Sequence, residues 1–254
     1  MKDISITIVA YNNEKDVRNA VRSIMECTAV AVSKELFLVD NSSKKNRLSR
    51  LERKYPEVTY LRPGKNLGFG GGHNYVLPRL DSRFHAIVNP DIILTEDSFS
   101  VLLKFMEQNS VGMAVPRMTD EDGKLQPVYR RKLTVGDLLI RYFPGCCFKK
   151  RRSYHTMQEM DYGKPFRVPF AQGSFLFIRT ELFRRLGGFD RRYFMYMEDA
   201  DLCRRVNGRS SLWYCPDTTV IHKWERGSHK NPALLKMHLI SMVRYFQKWG
   251  WKLW

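Results

Sequence analysis

Cysteine is scarce in this chain and is not placed to build anything. The 254 residues hold five, Cys27, Cys146, Cys147, Cys203 and Cys215. The number is odd and no C-x-x-C pair occurs, which argues against a disulfide framework and a zinc site and for a reducing compartment. Long apolar runs are missing too. No window approaches the roughly 20 apolar residues of a membrane span, and the opening Met1-Lys2-Asp3-Ile4-Ser5-Ile6 enters a strand-like run without the apolar and cleavage regions of a signal peptide. The expectation is a protein that is soluble or lies on a membrane without crossing it. Acid is in deficit, with 26 Asp and Glu against 43 Lys and Arg and a formal net charge of +17. An imbalance of that size points to nucleic acid, anionic lipid or a phosphorylated substrate as partner. No internal repeat is visible.

What is present suffices for a full core, since 43% of the residues are hydrophobic. Ile4, Ile6, Ile8 and Val9 predict a first strand. Val17, Val21, Ile24 and Met25 predict a helix from Glu14 to Met25, capped by Asn12 or Asn13. Glu35 to Val39 predicts a second strand, Leu48 to Tyr55 a helix, Val58 to Leu61 a third strand and Ala86 to Val88 a fourth. A β-α-β unit of this kind is right-handed with parallel neighbours, so the first hundred residues read as a nucleotide-binding half. A helix over Asp97 to Gln108, a strand over Val111 to Pro116 and a strand after Gly173-Ser174 follow. Residues 118 to 168 read as an irregular insertion facing a partner.

Acids stand just beyond two of the apolar runs, Asp40 after Leu36-Phe37-Leu38-Val39 and Asp91 after Ala86-Ile87-Val88-Asn89-Pro90. Ligands of open α/β sheets bind beyond the carboxyl ends of the strands, although an acid in such a place also suits a turn. A third acidic stretch, Glu198-Asp199-Ala200-Asp201, opens a helix marked by Leu202, Arg205 and Val206. A cap near Glu198 or Asp199 would hold ionised carboxylates against the positive helix end. Lys65-Asn66-Leu67-Gly68-Phe69-Gly70-Gly71-Gly72-His73-Asn74 is a glycine-rich loop that opens a helix from Tyr75 to Leu80. It either cradles phosphates or serves as a hinge beside a ligand; it lacks the Lys-Ser/Thr ending of a P-loop. The basic residues cluster, as in Arg130-Arg131-Lys132, Lys149-Lys150-Arg151-Arg152 and Arg204-Arg205. After Asn231-Pro232 a helix runs to about Lys248, with Leu235, Leu239, Met242, Phe246 and Trp249 on one face. Trp249, Trp251 and Trp254 beside Lys248 and Lys252 suit a bilayer headgroup region; packing on the chain's own domain is the alternative.

The ordered set Val9-Ala10-Tyr11-Asn12-Asn13, Val39-Asp40-Asn41-Ser42, Asn66-Leu67-Gly68-Phe69-Gly70, Asn89-Pro90-Asp91, Gly173-Ser174-Phe175 and Gly187-Gly188-Phe189-Asp190 running into Glu198-Asp199 resembles the family 2 glycosyltransferases. The Asn-Pro-Asp form and Phe194-Met195-Tyr196-Met197-Glu198-Asp199-Ala200-Asp201-Leu202-Cys203 look most like bacterial rhamnosyltransferases that extend a polyprenyl-diphosphate-linked sugar. The resemblance implies an α/β GT-A fold, Rossmann-like, with a mostly parallel central sheet flanked by helices and a C-terminal helical membrane-associating segment. The implied domain is 1–230, with a nucleotide-binding half 1–92 and an acceptor and catalytic half 93–230, followed by an amphipathic segment 231–254.

Implied roles follow residue by residue. Asp40 would accept the N3–H of a uracil or thymine base, with Ala10, Tyr11 and Asn12 lining base and ribose. Asn66, Gly68, Asn74 and Asn89 join them in holding the nucleotide sugar, while Gly173 and Ser174 border the donor sugar, where a larger side chain would collide with it. Asp91 and His222 would hold a divalent cation, Mg²⁺ or Mn²⁺, with Asn89 standing where the D-x-D motif has its first acid; His229 and His73 are reserve ligands. Asp199 would be the general base of an inverting transfer, supported by Glu198, Asp201 and Arg204. The implied partners are a nucleotide-diphosphate sugar donor, dTDP-rhamnose first, a polyprenyl-diphosphate-linked saccharide acceptor in bacterial surface polysaccharide synthesis, and an anionic membrane surface on the cytoplasmic face. The aromatic and basic C-terminus and Lys149 to Arg152 would hold the protein there, and removing residues 232 to 254 should release it with donor binding intact. A UDP-sugar donor (GlcNAc, galactose or galactofuranose) is the alternative. A nonenzymatic nucleic-acid-binding protein is a distant one, because it leaves the acids after strands without a purpose; nucleic acid is not an expected partner.

Overall fold

The computed structural model describes residues 1–140, 148–223 and 232–253. β1 (Lys2–Ala10), α1 (Glu14–Cys27) and β2 (Lys34–Asp40) form the expected β-α-β unit, and α2 (Arg50–Lys54) leads into β3 (Val58–Leu61). α3 (Gly68–Tyr75) and a 3₁₀ turn over Leu77–Arg79 precede β4 (Ser82–Val88). β1 lies between β2 and β4, parallel to both, and β3 runs parallel outside β2. Ile4, Ile6 and Ile8 are fully buried, and so are Ser5 and Thr7 between them. A strand covered on both faces loses the in-out alternation of a half-exposed one.

The second half adds β5 (Ile92–Leu94), α4 (Ser98–Gln108), β6 (Met113–Thr119), β7 (Tyr129–Arg130), α5 (Val135–Ile140), α6 (Lys149–His155), β8 (Phe166–Arg167), β9 (Phe170–Ala171), β10 (Phe175–Arg179), α7 (Thr180–Arg185), α8 (Glu198–Asn207), β11 (Leu212–His222) and α9 (Pro232–Trp249). One sheet runs β3-β2-β1-β4-β10-β6-β11-β5, with β8 beside β11, and β7 pairs with β9 in a small second sheet. The mostly parallel sheet expected from the sequence holds from β3 to β4 and again where β6 runs parallel to β11, but not between. β10 is antiparallel to both β4 and β6, and β5 and β8 are antiparallel to β11. The sheet is therefore mixed, and it passes without a break through the division expected at residue 92.

Two local expectations need correction. The glycine-rich stretch from Gly68 is itself the helix α3, which ends at Tyr75 where the expected helix runs on to Leu80, although glycine is a poor helix former. Close packing overrides propensity here: a Cβ on Gly72 would lie 2.7 Å from Val9 Cγ1, and one on Gly70 2.9 Å from Phe189 Cβ. Gly68 starts the helix at φ +73°, with a Cβ position only 2.0 Å from the Phe194 carbonyl oxygen, so no side chain fits. The apolar face of α9 follows the expected one only in part. Phe246 joins the core and Met242 and Trp249 pack against it, as expected. His238, Ser241 and Tyr245 are buried as well, whereas Leu239, Ile240 and Val243 are 48%, 42% and 43% exposed. The inward stripe includes polar residues because Ser241 donates to the Met195 carbonyl and His238 lies against Tyr196. Among the described residues no helix is long and apolar enough to cross a membrane.

Candidate active site

The approach to α8 is strained. Tyr196 and Met197 both adopt left-handed backbone, at φ 70° and 69°, a conformation that costs about 1–3 kcal/mol for each non-glycine residue and persists only where surroundings impose it. α9 imposes it. Ser241 Oγ donates to Met195 O at 2.8 Å, His238 lies 5.0 Å from the Tyr196 ring, and Arg244 donates to Arg192 O. The first residue of α8 is Glu198, its N-cap is Met197, and no side chain caps it. The cap expected at Glu198 or Asp199 is not made, because Asp199 points elsewhere: Oδ2 accepts the Gly173 N–H at 3.0 Å and Oδ1 the Ala200 N–H at 2.8 Å.

Burial pushes both carboxyls of the pair upward, which overrides the expected effect of the helix dipole. Glu198 rises to about 8, through burial first and the Asp199 charge second. Asp199 also rises by burial, opposed by the N–H groups of Gly173 and Ala200 and by Arg130. Since the Glu198 rise includes the Asp199 charge, Asp199 ionises first. The pair therefore favours its charge on Asp199 and its proton on Glu198, whose Oε2 is buried without a partner.

A second carboxylate meets a histidine 131 positions away because β5 pairs with β11, setting Ile92 opposite His222. Asp91 Oδ2 lies 3.4 Å from His222 Nε2, and Asp91 Oδ1 is buried without a partner. Gln126 fixes the imidazole from behind. Its Nε2 donates to His222 O at 2.8 Å, which turns its Oε1 toward His222 Nδ1 at 2.8 Å. Nδ1 is then a donor, and Nε2 faces Asp91. A carboxylate and an imidazole nitrogen set side by side suit a divalent cation, and an acceptor on the far ring nitrogen is the usual companion of a metal-binding histidine. Among the described residues no group of three His, Cys, Asp or Glu side chains is gathered to hold a metal, so a cation here would need oxygens from its substrate and water.

Asp91, His222, Glu198 and Asp199 open on one cavity of about 570 Å³, which Asn89, Gly173 and Ser174 also line. Asn89 N–H donates to Ser174 O at 2.8 Å, tying the loop after β4 to the start of β10. Ser174 is fully buried and its Oγ turns to Met118 Sδ at 3.4 Å, so it borders the cavity with backbone rather than hydroxyl. The smallness of Gly173 serves the protein itself: a Cβ there would lie 3.1 Å from Asp199 Cβ and 3.3 Å from Phe69 Cε1.

Other expected residues stand outside this cavity. Asp40, at the end of β2 opposite Ala10, is 1% exposed and accepts from Ser42 N–H at 2.9 Å, Asn46 Nδ2 at 2.9 Å and Tyr60 Oη at 2.6 Å. Burial raises its carboxyl, but the bonds from Ser42, Tyr60 and Asn46 together prevail and hold it below its ordinary value. Tyr11 is half exposed, and Asn12, at φ 57°, binds Ser43 Oγ and the Lys44 N–H. Asn66 Oδ1 accepts the Gly68 N–H at 2.9 Å. Asn74 clamps Phe189 at both backbone groups, at 2.7 and 2.8 Å, and so positions the loop before α8 instead of facing a ligand. Asp201 is fully buried and pairs with Arg205 Nε and Lys248 Nζ, both at 2.6 Å, and with Trp249 Nε1 at 2.8 Å; Arg204 lies over the Trp249 ring at 4.3 Å. Both support α8 from outside the cavity. Lys248 and Trp249 are therefore occupied within the fold, not offered to a bilayer, and cutting away α9 would remove the braces of the active-site loop. His73 is buried between Phe69 and Phe189, away from Asp91, and His229 lies outside the described residues.

Sequence reasoning missed Gln126, Gln172, Phe69 and His238 as parts of the site. It also gave no role to Arg130 and His155 and set Arg152 on the membrane surface, whereas all three line the same cavity; the two arginines belong to the basic clusters visible in the sequence.

The chain is similar to known proteins over most of its length. Over 247 residues the chain is 28% identical to N-acetylglucosaminyl-diphospho-decaprenol L-rhamnosyltransferase of Mycobacterium tuberculosis, covering 91% of this chain and 79% of that one. It is 25% identical to rhamnosyltransferase WbbL of Escherichia coli K12, covering 96% and 93%. The solved mannosyltransferase PcManGT of Pyrobaculum calidifontis, in complex with GDP-Man and Mn²⁺, superposes with a TM-score of 0.67 at 17% identity, over 98% of this chain and 66% of that one, and so shares the GT-A fold. Residues 5–187 match the family described as Glycosyl transferase family 2, and the chain belongs to that family as a glycosyltransferase.

Proposed function

We propose that the protein is an inverting transferase that moves a sugar, L-rhamnose from dTDP-β-L-rhamnose before other donors, onto a hydroxyl of a polyprenyl-diphosphate-linked saccharide in bacterial surface polysaccharide synthesis. The observation that carries this is the convergence of the Asp91–His222 pair and the Glu198–Asp199 pair on one cavity. The likeness to two rhamnosyltransferases supports the sugar and, through the first of them, the acceptor type.

Asp199 has the geometry of a base held still. Two backbone N–H groups fix both its oxygens, and the Glu198 proton leaves it as the ionised member of the pair. It would take the proton of the acceptor hydroxyl as that oxygen attacks the anomeric carbon from the face opposite the diphosphate. Asp91 and His222 would hold a divalent cation, Mg²⁺ or Mn²⁺, which neutralises the departing nucleoside diphosphate. Asp40, Ala10, Tyr11 and Asn12, at the ends of β1 and β2, suit the base and ribose, with Asn66 and Gly68 beside them. A thermal-shift panel of dTDP-rhamnose, UDP-GlcNAc, UDP-galactose, UDP-galactofuranose and GDP-mannose, each with and without Mn²⁺, tests the donor through linkage. A metal-dependent shift with dTDP-rhamnose alone is expected. A shift only with a UDP-sugar would replace the donor, and none with any would sink the reading.

The protein would work on the cytoplasmic face of the plasma membrane. Leu239, Ile240 and Val243 on the outer side of α9, with Trp251 and Leu253 beyond it, are exposed, and Lys236, Arg244 and Lys252 accompany them. Replacing Leu239, Ile240 and Val243 by serine spares the inner face of α9. It should lower co-flotation with phosphatidylglycerol vesicles, and equal recovery would refute the membrane reading.

A further inference from the structure

One wall of the cavity is basic, and the segment between β6 and β10 builds it. Arg130, Arg152 and His155 line this wall together with Asp137, while Asp91, Glu198 and Asp199 line other parts of the cavity. β7 pairs with β9 so that Arg130 stands opposite Phe170, with its guanidinium 5.6 Å from that ring. Three residues after Phe170 comes Gly173, whose N–H holds Asp199. The Arg130 charge is near enough to oppose the rise of the Asp199 carboxyl.

The same wall is braced from behind. Arg131 N–H donates to His155 O at 2.9 Å, and its side chain reaches Tyr154 O and Glu159, so β7 grips the end of α6. Asp137 on α5 is a buried carboxylate that accepts from Thr134 Oγ1 and Arg151 Nε, both at 2.7 Å, and lies 3.5 Å from His155 Nδ1. Arg151 thus counters the Asp137 charge within this wall. Lys149, Arg152 and Thr156 share a helical face. Lys149 is exposed and Arg152 and Thr156 line the cavity, a basic path from the surface inward. Burial holds His155 down to about 4, so the ring is a neutral hydrogen-bonding group and the charge is the arginines'.

We propose that Arg130 and Arg152 form an anion subsite that takes the diphosphate of the acceptor, across the acceptor sugar from the hydroxyl that Asp199 deprotonates. The inference deepens the function proposed above and rests on it. Two diphosphates brought into a cavity lined by four carboxyl groups, Asp91, Asp137, Glu198 and Asp199, repel the ionised ones and each other unless each has its own cations. The Asp91–His222 pair serves the first, and guanidinium forks, which match phosphate oxygens two at a time, suit the second.

Direct binding tests this without requiring turnover. Decyl diphosphate and thymidine diphosphate with Mn²⁺ are titrated separately into the full chain and its Arg130→Gln and Arg152→Gln variants, with Lys45→Gln as a control for lost charge. Each arginine variant is expected to bind decyl diphosphate about 10-fold more weakly, the worth of one charged hydrogen-bonding group, with thymidine diphosphate unchanged. An equal loss for thymidine diphosphate would assign the arginines to the donor, and no loss for either would empty the subsite; both overturn the proposal. Should a glutamine variant melt early, Arg130→Lys and Arg152→Lys keep the charge but lose the fork, and undiminished decyl diphosphate binding in both would also overturn it. If thymidine diphosphate fails to bind the unaltered protein, the transferase reading has failed, separately from this one.

Discussion

Asp40 and the Glu198–Asp199 pair are carboxylates sunk into the same protein with opposite results. Asp40 is 1% exposed and its carboxyl is held down; Glu198 is 5% exposed and rises to about 8. Burial acts upward on both. Donors decide the difference. Ser42, Asn46 and Tyr60 converge on Asp40, whereas Glu198 keeps one oxygen without a partner and has an acidic neighbour. The first arrangement makes a fixed charge that stays an acceptor at any working pH. The second makes a pair that can hold and move one proton, as a transfer from a hydroxyl requires.

The largest effect that would break this contrast is at Asp199. Asp199→Asn removes the base but keeps its shape, and transfer should fall by about 10²–10⁴-fold, the usual worth of a positioned general base. Nucleoside diphosphate binding should not change. Near-normal turnover in a product assay would move the base elsewhere and leave the pair merely structural.

A smaller effect sharpens the other end of the cavity. Gln126→Ala takes the acceptor from behind His222, and Mn²⁺ affinity measured with thymidine diphosphate present should drop about 10–100-fold, as losses in the second shell of a metal site do. Unchanged affinity would remove His222 from the cation site.

How much of this could be read beforehand depended on whether a residue's role follows from its strand end or from its direction. Asp40 and Asp91 stand directly after apolar runs, so their position at the sheet's edge was legible, as was the helix that carries Asp199. The Asp91–His222 meeting came only through a family resemblance, since it depends on β5 crossing to β11. Gln126 gave no signal, being a lone amide in an irregular stretch. Asn74 and Ser174 were assigned to the ligand because sequence shows that a polar side chain is present, not that it turns to Phe189 or Met118. α9 was read only in part for the same reason: Met242, Phe246 and Trp249 pack inward as expected, but His238 and Ser241 share that face and Leu239 turns outward. The Glu198 proton was beyond reach, since it is set by burial from segments distant in the chain.

The subtlest test concerns that proton and leaves shape and neutral-pH activity nearly alone. Glu198→Gln fixes the side chain in its uncharged form. In the unaltered protein Glu198 ionises as pH passes about 8, placing a second negative charge beside Asp199, and transfer should decline there; in Glu198→Gln this alkaline limb should move up or vanish. Stability gives an independent reading of the same group. The folded state holds the Glu198 proton up to about 8 while the unfolded chain releases it near 4.5, so the folded state binds more protons between those values and loses stability as pH rises through them. Asp40 has the opposite sign: its contribution is present above the ordinary aspartate value and is lost as pH falls through its depressed one. Melting curves of the two proteins should therefore converge toward pH 4.5 and separate in favour of Glu198→Gln toward pH 8. A constant difference across that range would mean that Glu198 is ionised in the folded protein throughout, and the contrast between the two buried sites would collapse into two fixed charges.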